Sequence, residues 1–321
     1  MTAIETKHLT KRFNEEVVAV DRLDLRVTEG EVFGFLGPNG AGKSTVINVL
    51  LDFVRPTEGD VTVLGYDPTT DAEQIRRRTG VLPEGASLYA RLTGREHIGW
   101  VARANDATVD VDSLLSRVGL SSDEAGRAVG DYSKGMRRRL ALAMALVGDP
   151  ELLILDEPSA GLDPTGMQEF REIIRAEAGD GRTVFFSSHI LGEVEAVCDR
   201  IGILNDGCLV ATGTPDALRS NLDLGGTISI DVAYVPDALA LNAIDGVEDV
   251  TIDESTITAT ITDSTKKIEV ISELDEHTRI LDITSAETSL ERLFNTYTSS
   301  SREDAPAVDN EIGAAEVGVK R

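Results

Sequence analysis

Lysine is scarce in this 321-residue chain, supplying only seven of its 31 basic side chains, the rest being arginine. Against them stand 56 acidic residues and a net charge of −25. That balance argues against nucleic acid as a primary partner, because phosphate backbones need a basic face. An acid-rich, lysine-poor surface suits concentrated salt, where screening relieves self-repulsion and carboxylates stay hydrated. We therefore expect a halophilic source. Cysteine is nearly missing: Cys198 and Cys208 offer no disulfide framework and no metal-ligand spacing. Long apolar runs are missing too, since no stretch reaches the 18 or so residues that span a bilayer. The opening MTAIETKHLT has no basic patch followed by an apolar core, so no signal peptide is expected. These readings place the chain in the cytoplasm, with any membrane part supplied by another chain.

What is present is enough apolar sequence, 41%, for a large core plus a smaller one. Residues 2–9 and 17–27 alternate apolar and polar positions and read as antiparallel strands. Residues 31–36 form a short apolar run read as a buried strand, and helical spacing follows over 43–51. A strand at 61–64 and helices at 71–78, 94–104 and 110–118 come next. A helix over 134–147 leads into a strand at 151–156. Pro164 opens another helix, followed by a strand at 183–188, a helix from about 190, and strands at 201–205 and 208–212 around Asn205-Asp206-Gly207. Alternating strands and helices predict an α/β fold with a mostly parallel sheet. Beyond residue 222 the texture changes to Thr-, Val- and Ile-rich runs at 227–235 and 247–262, with helices at 266–277 and 286–297. We expect three parts: a main domain at 1–221, a small α+β unit at 222–298, and a disordered acidic tail at 299–321.

The chemistry is concentrated after the strand at 31–36. Gly37, Pro38, Asn39, Gly40, Ala41, Gly42, Lys43, Ser44 and Thr45 contain G-x-x-x-x-G-K-[ST] between a strand and a helix. The glycines let successive backbone N–H groups face inward. That concavity and the positive end of the following helix bind phosphate oxygens. Lys43 would reach the β- and γ-phosphates and Ser44 would ligate Mg²⁺. A second carboxylate for magnesium comes from LLILDEP, where Asp156 emerges at the carboxyl end of an apolar strand. Glu157 beside it could orient or deprotonate the attacking water.

With those two motifs in place, the sequence resembles an ATP-binding cassette (ABC) ATPase over about residues 2–220. GPNGAGKST resembles the family's Walker A, LLILDEP its Walker B, and SAGLDP at 159–164 its D-loop. His189 in SSHI resembles the switch histidine and YSKGM at 132–136 the signature motif. The resemblance implies a P-loop NTPase fold with an antiparallel β subdomain and a helical subdomain. It implies that Ser133 and Gly135 contact the γ-phosphate of a nucleotide held by a second subunit. His189 would donate to that phosphate and Asp163 would shape the subunit interface. Phe13, read as a loop residue among Lys11, Arg12 and Asn14, would stack on adenine. Glu84 stands where the family has a glutamine near magnesium. Tyr132, Lys134 and Met136 depart from the usual signature. Arg137, Arg138 and Arg139 read as a solvated helix face rather than a phosphate contact.

The implied function is that of the ATP-hydrolysing subunit of a transporter, of the drug- and polysaccharide-exporter branch. ATP and Mg²⁺ are its cofactors, with a second ATPase subunit and a separate polytopic permease as partners. The small unit after residue 222 resembles the accessory domain of that branch, with 285–298 as its closing helix. A soluble switch ATPase acting on ribosomes or DNA is the rival class. It usually has two fused cassettes or a long coiled-coil insertion, and this chain shows neither. A guanine-reading Asn-Lys-x-Asp is also missing. The charge balance makes one prediction: the melting temperature should climb steadily from dilute buffer to molar salt. A melting curve that is flat or falls over that range refutes the halophilic reading.

Overall fold

A computed structural model describes residues 1–14, 17–220, 227–236, 241–261 and 265–286. Its strands are β1 (Thr2–Phe13), β2 (Val17–Thr28), β3 (Val32–Leu36), β4 (Glu58–Val63), β5 (Thr79–Leu82), β6 (Leu152–Asp156), β7 (Thr183–Ser188), β8 (Arg200–Asn205), β9 (Cys208–Gly213), β10 (Thr227–Val232), β11 (Val247–Asp253), β12 (Thr256–Ile261) and β13 (Ile280–Ala286). The helices are α1 (Lys43–Leu50), α2 (Pro68–Arg78), α3 (Gly94–Ala104), α4 (Val111–Arg117), α5 (Ser122–Ala125), α6 (Lys134–Ala145), α7 (Pro164–Gly179), α8 (Leu191–Glu195), α9 (Pro215–Ser220) and α10 (Lys266–His277).

Every residue of β3, β6 and β7 is buried, as an unbroken apolar run demands of a strand covered on both faces. Their side chains alternate between two cores. Phe33, Phe35, Ile154 and Phe185 face α1 and the strands β1, β2 and β4. Val32, Leu36, Leu155 and Phe186 face the other way, toward α6, α7 and α8. These strands belong to a six-stranded sheet ordered β5-β6-β7-β3-β8-β9. Pairing is parallel from β5 to β8 and antiparallel only between β8 and β9. That last pair turns through Asp206 and Gly207, both at positive φ, as a two-residue hairpin requires. A second, antiparallel sheet is ordered β2-β1-β4, and α1 is packed between the two. A third sheet, β11-β12-β10-β13, forms the small unit. Ile228, Ile230, Ile257 and Ala259 pack there on Val270 and Leu274 of α10.

The order of strands and helices matches the sequence reading closely, and α3, β7 and α10 match it to the residue. Two differences have clear causes. β5 reads as a polar connection in sequence because it is four residues long and contains Gly80. That glycine is needed: a Cβ there would lie 2.1 Å from the carbonyl oxygen of Ala145 on α6. The second difference is β1, which runs on to Phe13 and pairs Phe13 with Val17. Phe13 is therefore a strand-end residue rather than a loop residue. Of the expected closing helix, Ser285 and Ala286 lie in β13, while 287–298 and the tail at 299–321 fall outside the described residues. Among the described residues no helix is long and apolar enough to cross a membrane. Cys198 is buried, and that burial pushes its thiol well above its ordinary range.

Gly34 in β3 is the tightest point between sheet and helix. A Cβ there would lie 2.0 Å from Val194 Cγ1 and 2.8 Å from Cys198 Sγ. Gly34→Ala should thus destabilise the protein by about 1–3 kcal/mol through overpacking. Chemical denaturation measures this, and a variant as stable as wild type would mean that α8 shifts freely.

Candidate active site

The sheet order decides where the site is. In an open parallel sheet, ligands gather outside the carboxyl ends of the strands. β6, β7 and β3 are neighbours, so the segments leaving their carboxyl ends meet. These are Asp156-Glu157, His189, and the loop from Gly37 to Lys43. Glu157, His189 and most of that loop line a cleft of about 360 Å³, with Asp156 outside its wall, and the volume is within the range of small-molecule sites. Pro38, Asn39, Gly40, Gly42, Lys43, Ser44, Thr45, Glu84, Glu157 and His189 contribute to its wall. Gly37 and Ala41 form the buried back of the loop: Gly37 N donates to Ser188 O at 3.2 Å, and Gly207 N donates to Ala41 O at 2.9 Å.

The loop's glycines are required by backbone approach. Gly42 has φ +108°, and a Cβ there would lie 2.3 Å from Ala19 O. At Gly37 a Cβ would lie 2.5 Å from Leu204 O. Gly42 is the N-cap of α1 and has no side chain to give to the helix, so the first N–H groups of α1 remain for a ligand. Lys43 is buried, and its ammonium donates to Gly37 O at 2.6 Å and Pro38 O at 3.2 Å. It also lies 3.5 Å from Glu157 Oε1.

Glu157 is the centre of the cluster. Its backbone is left-handed at φ +45°, a conformation that costs a non-glycine residue on the order of 1–3 kcal/mol and persists only when its surroundings enforce it. Oε2 lies 2.8 Å from Nδ1 of His189. Oε1 is buried and has no hydrogen-bond donor, only the Lys43 charge. An orphaned carboxylate oxygen facing a cleft fits a group that accepts a proton from water or positions it. In the tautomer whose Nδ1–H donates to Glu157, Nε2 of the neutral ring is an acceptor. Donation from Nε2 to a phosphate then needs the doubly protonated ring. Asp156 is buried beside it, and Ser187 Oγ donates to Asp156 Oδ1 at 2.5 Å while accepting from Glu157 N at 3.1 Å.

The remaining expected residues lie elsewhere on the chain. Ser133 is the N-cap of α6, accepting from Met136 N at 3.2 Å, and Gly135 is in the first turn of that helix. Neither lines the cleft holding Lys43. Phe13 is at the end of β1, outside that cleft, 40% exposed and with the Lys11 ammonium 4.9 Å from its ring centre. Asp163 caps α7, accepting from Gly166 N at 2.8 Å.

The arginine reading needs correction. Arg137 donates to Val129 O and, at 2.9 Å, to Gly130 O, and Arg139 to Gly119 O at 3.0 Å. Arg138 is half-buried and donates to the backbone carbonyls of Asp156, Glu157 and Pro158. Arg137 is exposed, as a solvated face expects, and Arg139 also pairs with Glu169 at 3.4 Å, so it is Arg138 that departs from that expectation. Burial pulls the Arg138 guanidinium below its ordinary value, and the charges of Asp156, Glu84 and Glu157 oppose that pull. Sequence reasoning also missed Glu193. It is buried four residues after His189, accepting from Ser188 Oγ at 2.8 Å and from Ser159 Oγ. It thereby ties the end of β7 to the loop that follows β6. The two serines before His189 were the only sequence signal for it.

Comparison with known proteins follows the same outline. A family model described as ABC transporter matches residues 20–160. The daunorubicin resistance ATP-binding protein DrrA3 of Streptomyces coeruleorubidus is 38% identical over 270 residues, covering 82% of this chain and 84% of that protein. The chain belongs to the ABC transporter family of ATP-binding proteins. An uncharacterized ABC transporter ATP-binding protein of Nostoc sp. is 46% identical over 211 residues, covering 64% of this chain and 62% of that protein, short of two thirds of its length. A solved structure described as the ATP binding subunit of an ABC transporter is 30% identical, covers 68% of this chain and 93% of its own, and superposes with a TM-score of 0.61. The fold is thus that of the ABC ATP-binding subunits.

The ABC loop makes a graded prediction. Gly40 has φ +86° but open space around its missing Cβ, so Gly40→Ala should weaken ATP binding by about tenfold through backbone strain alone. Gly42→Ala adds the collision with Ala19 O and should weaken it much further. Nucleotide titrations of the two variants check the order, and equal affinities would show that the loop is not held by that contact.

Proposed function

We propose that this chain binds and hydrolyses ATP as one of a pair of subunits that power a separate membrane permease, in the direction of export. The observation that carries the reading is the meeting of Lys43, Glu157 and His189 in one cleft, with Glu157 Oε1 lacking a donor. Lys43 would exchange its loop carbonyls for the β- and γ-phosphates, which the N–H groups from Gly37 to Thr45 cradle. Glu157 would hold the attacking water and accept its proton, with His189 steadying that carboxylate. Phe13 would stack on the adenine.

The donor set fits magnesium bound together with nucleotide. Among the described residues no group of three or more His, Cys, Asp or Glu side chains could hold a metal by itself. Ser44 and Asp156, with Glu84 nearby, would hold Mg²⁺ beside the phosphates, the usual arrangement for this ion. When bound, it would supply neutralisation of the phosphate charge.

Ser133 and Gly135 lie outside this chain's own cleft, yet the capped end of α6 is suited to an anion. That separation supports a second copy closing over the first, each lending its Ser133 to the other's nucleotide. Asp163 would stand at that junction.

A groove of about 1170 Å³, lined in part by Phe53, Leu88, Val101 and Met144 with Arg76 and Arg77 at its edge, supports permease docking on the helical part. Phe53, Tyr89 and Trp100 are exposed there or close by. The resistance and export names of relatives such as DrrA3 support export rather than import. The working boundaries are 1–221 for the ATPase domain, 222–298 for an accessory domain and 299–321 for a tail. The working location is the inner face of the membrane, and the acidic surface supports a saline habitat.

Glu157→Gln decides the matter. The variant should bind MgATP, pair into a stable dimer on gel filtration, and lose turnover by at least about a hundredfold. Turnover that persists, or monomers that stay apart with ATP, would remove the reading.

A further inference from the structure

Arg138 has a geometry that a surface arginine does not need. It lies in the second turn of α6, five residues beyond the capping Ser133. Its Nε donates to the carbonyl of Pro158, and its Nη2 to the carbonyls of Glu157 and, at 3.2 Å, Asp156. Three successive carbonyls are thus gathered by one planar fork. Lysine could not match this, since its ammonium is a single point on a flexible stem. The carbonyls belong to the turn in which Glu157 has a left-handed backbone. On its N–H side that turn is held to β7, Glu157 N donating to Ser187 O at 3.2 Å and to Ser187 Oγ at 3.1 Å. On the carbonyl side, Glu157 O also accepts from Ala160 N at 3.2 Å within the same loop, and Arg138 is the contact that comes from α6. Arg137 and Arg139 hold other loops, so Arg138 is the one arginine of the three that reaches this turn.

We propose that Arg138 is a positioning residue. It holds the Asp156–Pro158 turn in the shape that aims the Glu157 carboxylate between Lys43 and His189. Because it rides on the helix that Ser133 caps, it also ties each chain's signature serine to that same chain's own catalytic carboxylate. This inference rests on the reading of Glu157 and Ser133 given above.

The first test compares Arg138→Met and Arg138→Lys with wild type in steady-state turnover and MgATP titration, with melting temperature recorded for each. Misaiming a catalytic group by about an ångström costs about a hundredfold, so kcat of Arg138→Met should fall on that order. KM and nucleotide affinity should stay within about threefold, because the cradle around Lys43 is untouched. Arg138→Lys should recover part of the loss. A kcat near wild type in Arg138→Met overturns the proposal, as does a parallel loss of affinity and turnover. If Arg138→Met fails to fold, the split between kcat and KM in Arg138→Lys decides in the same way. Glu157→Gln is run beside them. If it still turns over ATP, the underlying functional reading fails. If it is dead and the Arg138 variants are normal, only the positioning role fails.

The second test uses mixed pairs with differently tagged chains. Ser133→Ala and Arg138→Met are placed either on one chain opposite wild type, or one on each chain. A tie within the chain leaves an intact site only in the split arrangement, so that pair should retain turnover and the same-chain pair should not. An arginine that reached across to the partner's phosphate would give the reverse result, which overturns the proposal.

Discussion

The buried contact between Lys43 and Glu157 sets the terms for the rest of the site. Both side chains are almost fully buried and 3.5 Å apart. An unpaired charge at that depth is strongly unfavourable, and removing one partner of such a pair commonly costs about 3–5 kcal/mol. The chain meets this by giving the ammonium two loop carbonyls and a carboxylate at once. A phosphate entering the cradle can replace the carbonyls without leaving the ammonium uncompensated. Glu157 in turn keeps one oxygen on His189 and leaves the other without a donor. Charge balance and chemical readiness are thus served by the same pair.

That pair can exist only because the sheet brings its members together. Lys43 follows β3 and Glu157 follows β6, more than a hundred residues apart in sequence but separated by one strand in space. The intervening strand β7 supplies Ser187, whose hydroxyl bonds both Asp156 and the Glu157 backbone, and then His189. The alternation of Phe33, Phe35 and Phe185 to one face and Val32, Leu36 and Phe186 to the other fixes these strands in register. A slip of one residue would exchange the faces of a strand and swing its terminal acid or loop out of the cleft.

How much of this was legible in sequence depended on range. Gly37 to Thr45 could be read because a local backbone shape needs glycines at fixed spacing. Asp156 could be read because an apolar run ends at it. The boundaries of α3, β7 and α10 followed from apolar patterning within each segment, with Thr93 capping α3. Arg138 could not be read, since nothing in Arg-Arg-Arg shows which guanidinium turns inward. That is decided by α6 passing the turn that follows β6. Glu193 was hidden for the same reason, its partners being Ser159 and Ser188 from other segments. β5 was lost because Gly80 resembles a breaker until the Ala145 carbonyl is seen pressing on it. Phe13 was read as a loop residue because polar neighbours at the end of a strand resemble those of a loop.

The acidity of the chain acquires a structural meaning when set beside the site. With 56 acidic residues, a chain could bind divalent cations at many places, yet the described residues hold no cluster of three metal-ligating side chains. Dispersed single carboxylates give a hydrated, self-repelling surface and little chelation. Around the site, Glu84, Asp156 and Glu157 each act on the charge of Arg138, and Lys43 lies 3.5 Å from Glu157. Those cations offset the local negative charge that would otherwise repel a triphosphate. An acidic protein can thus keep a site for a polyanion, provided that its few inward-facing cations come from secondary structure rigid enough to hold them there.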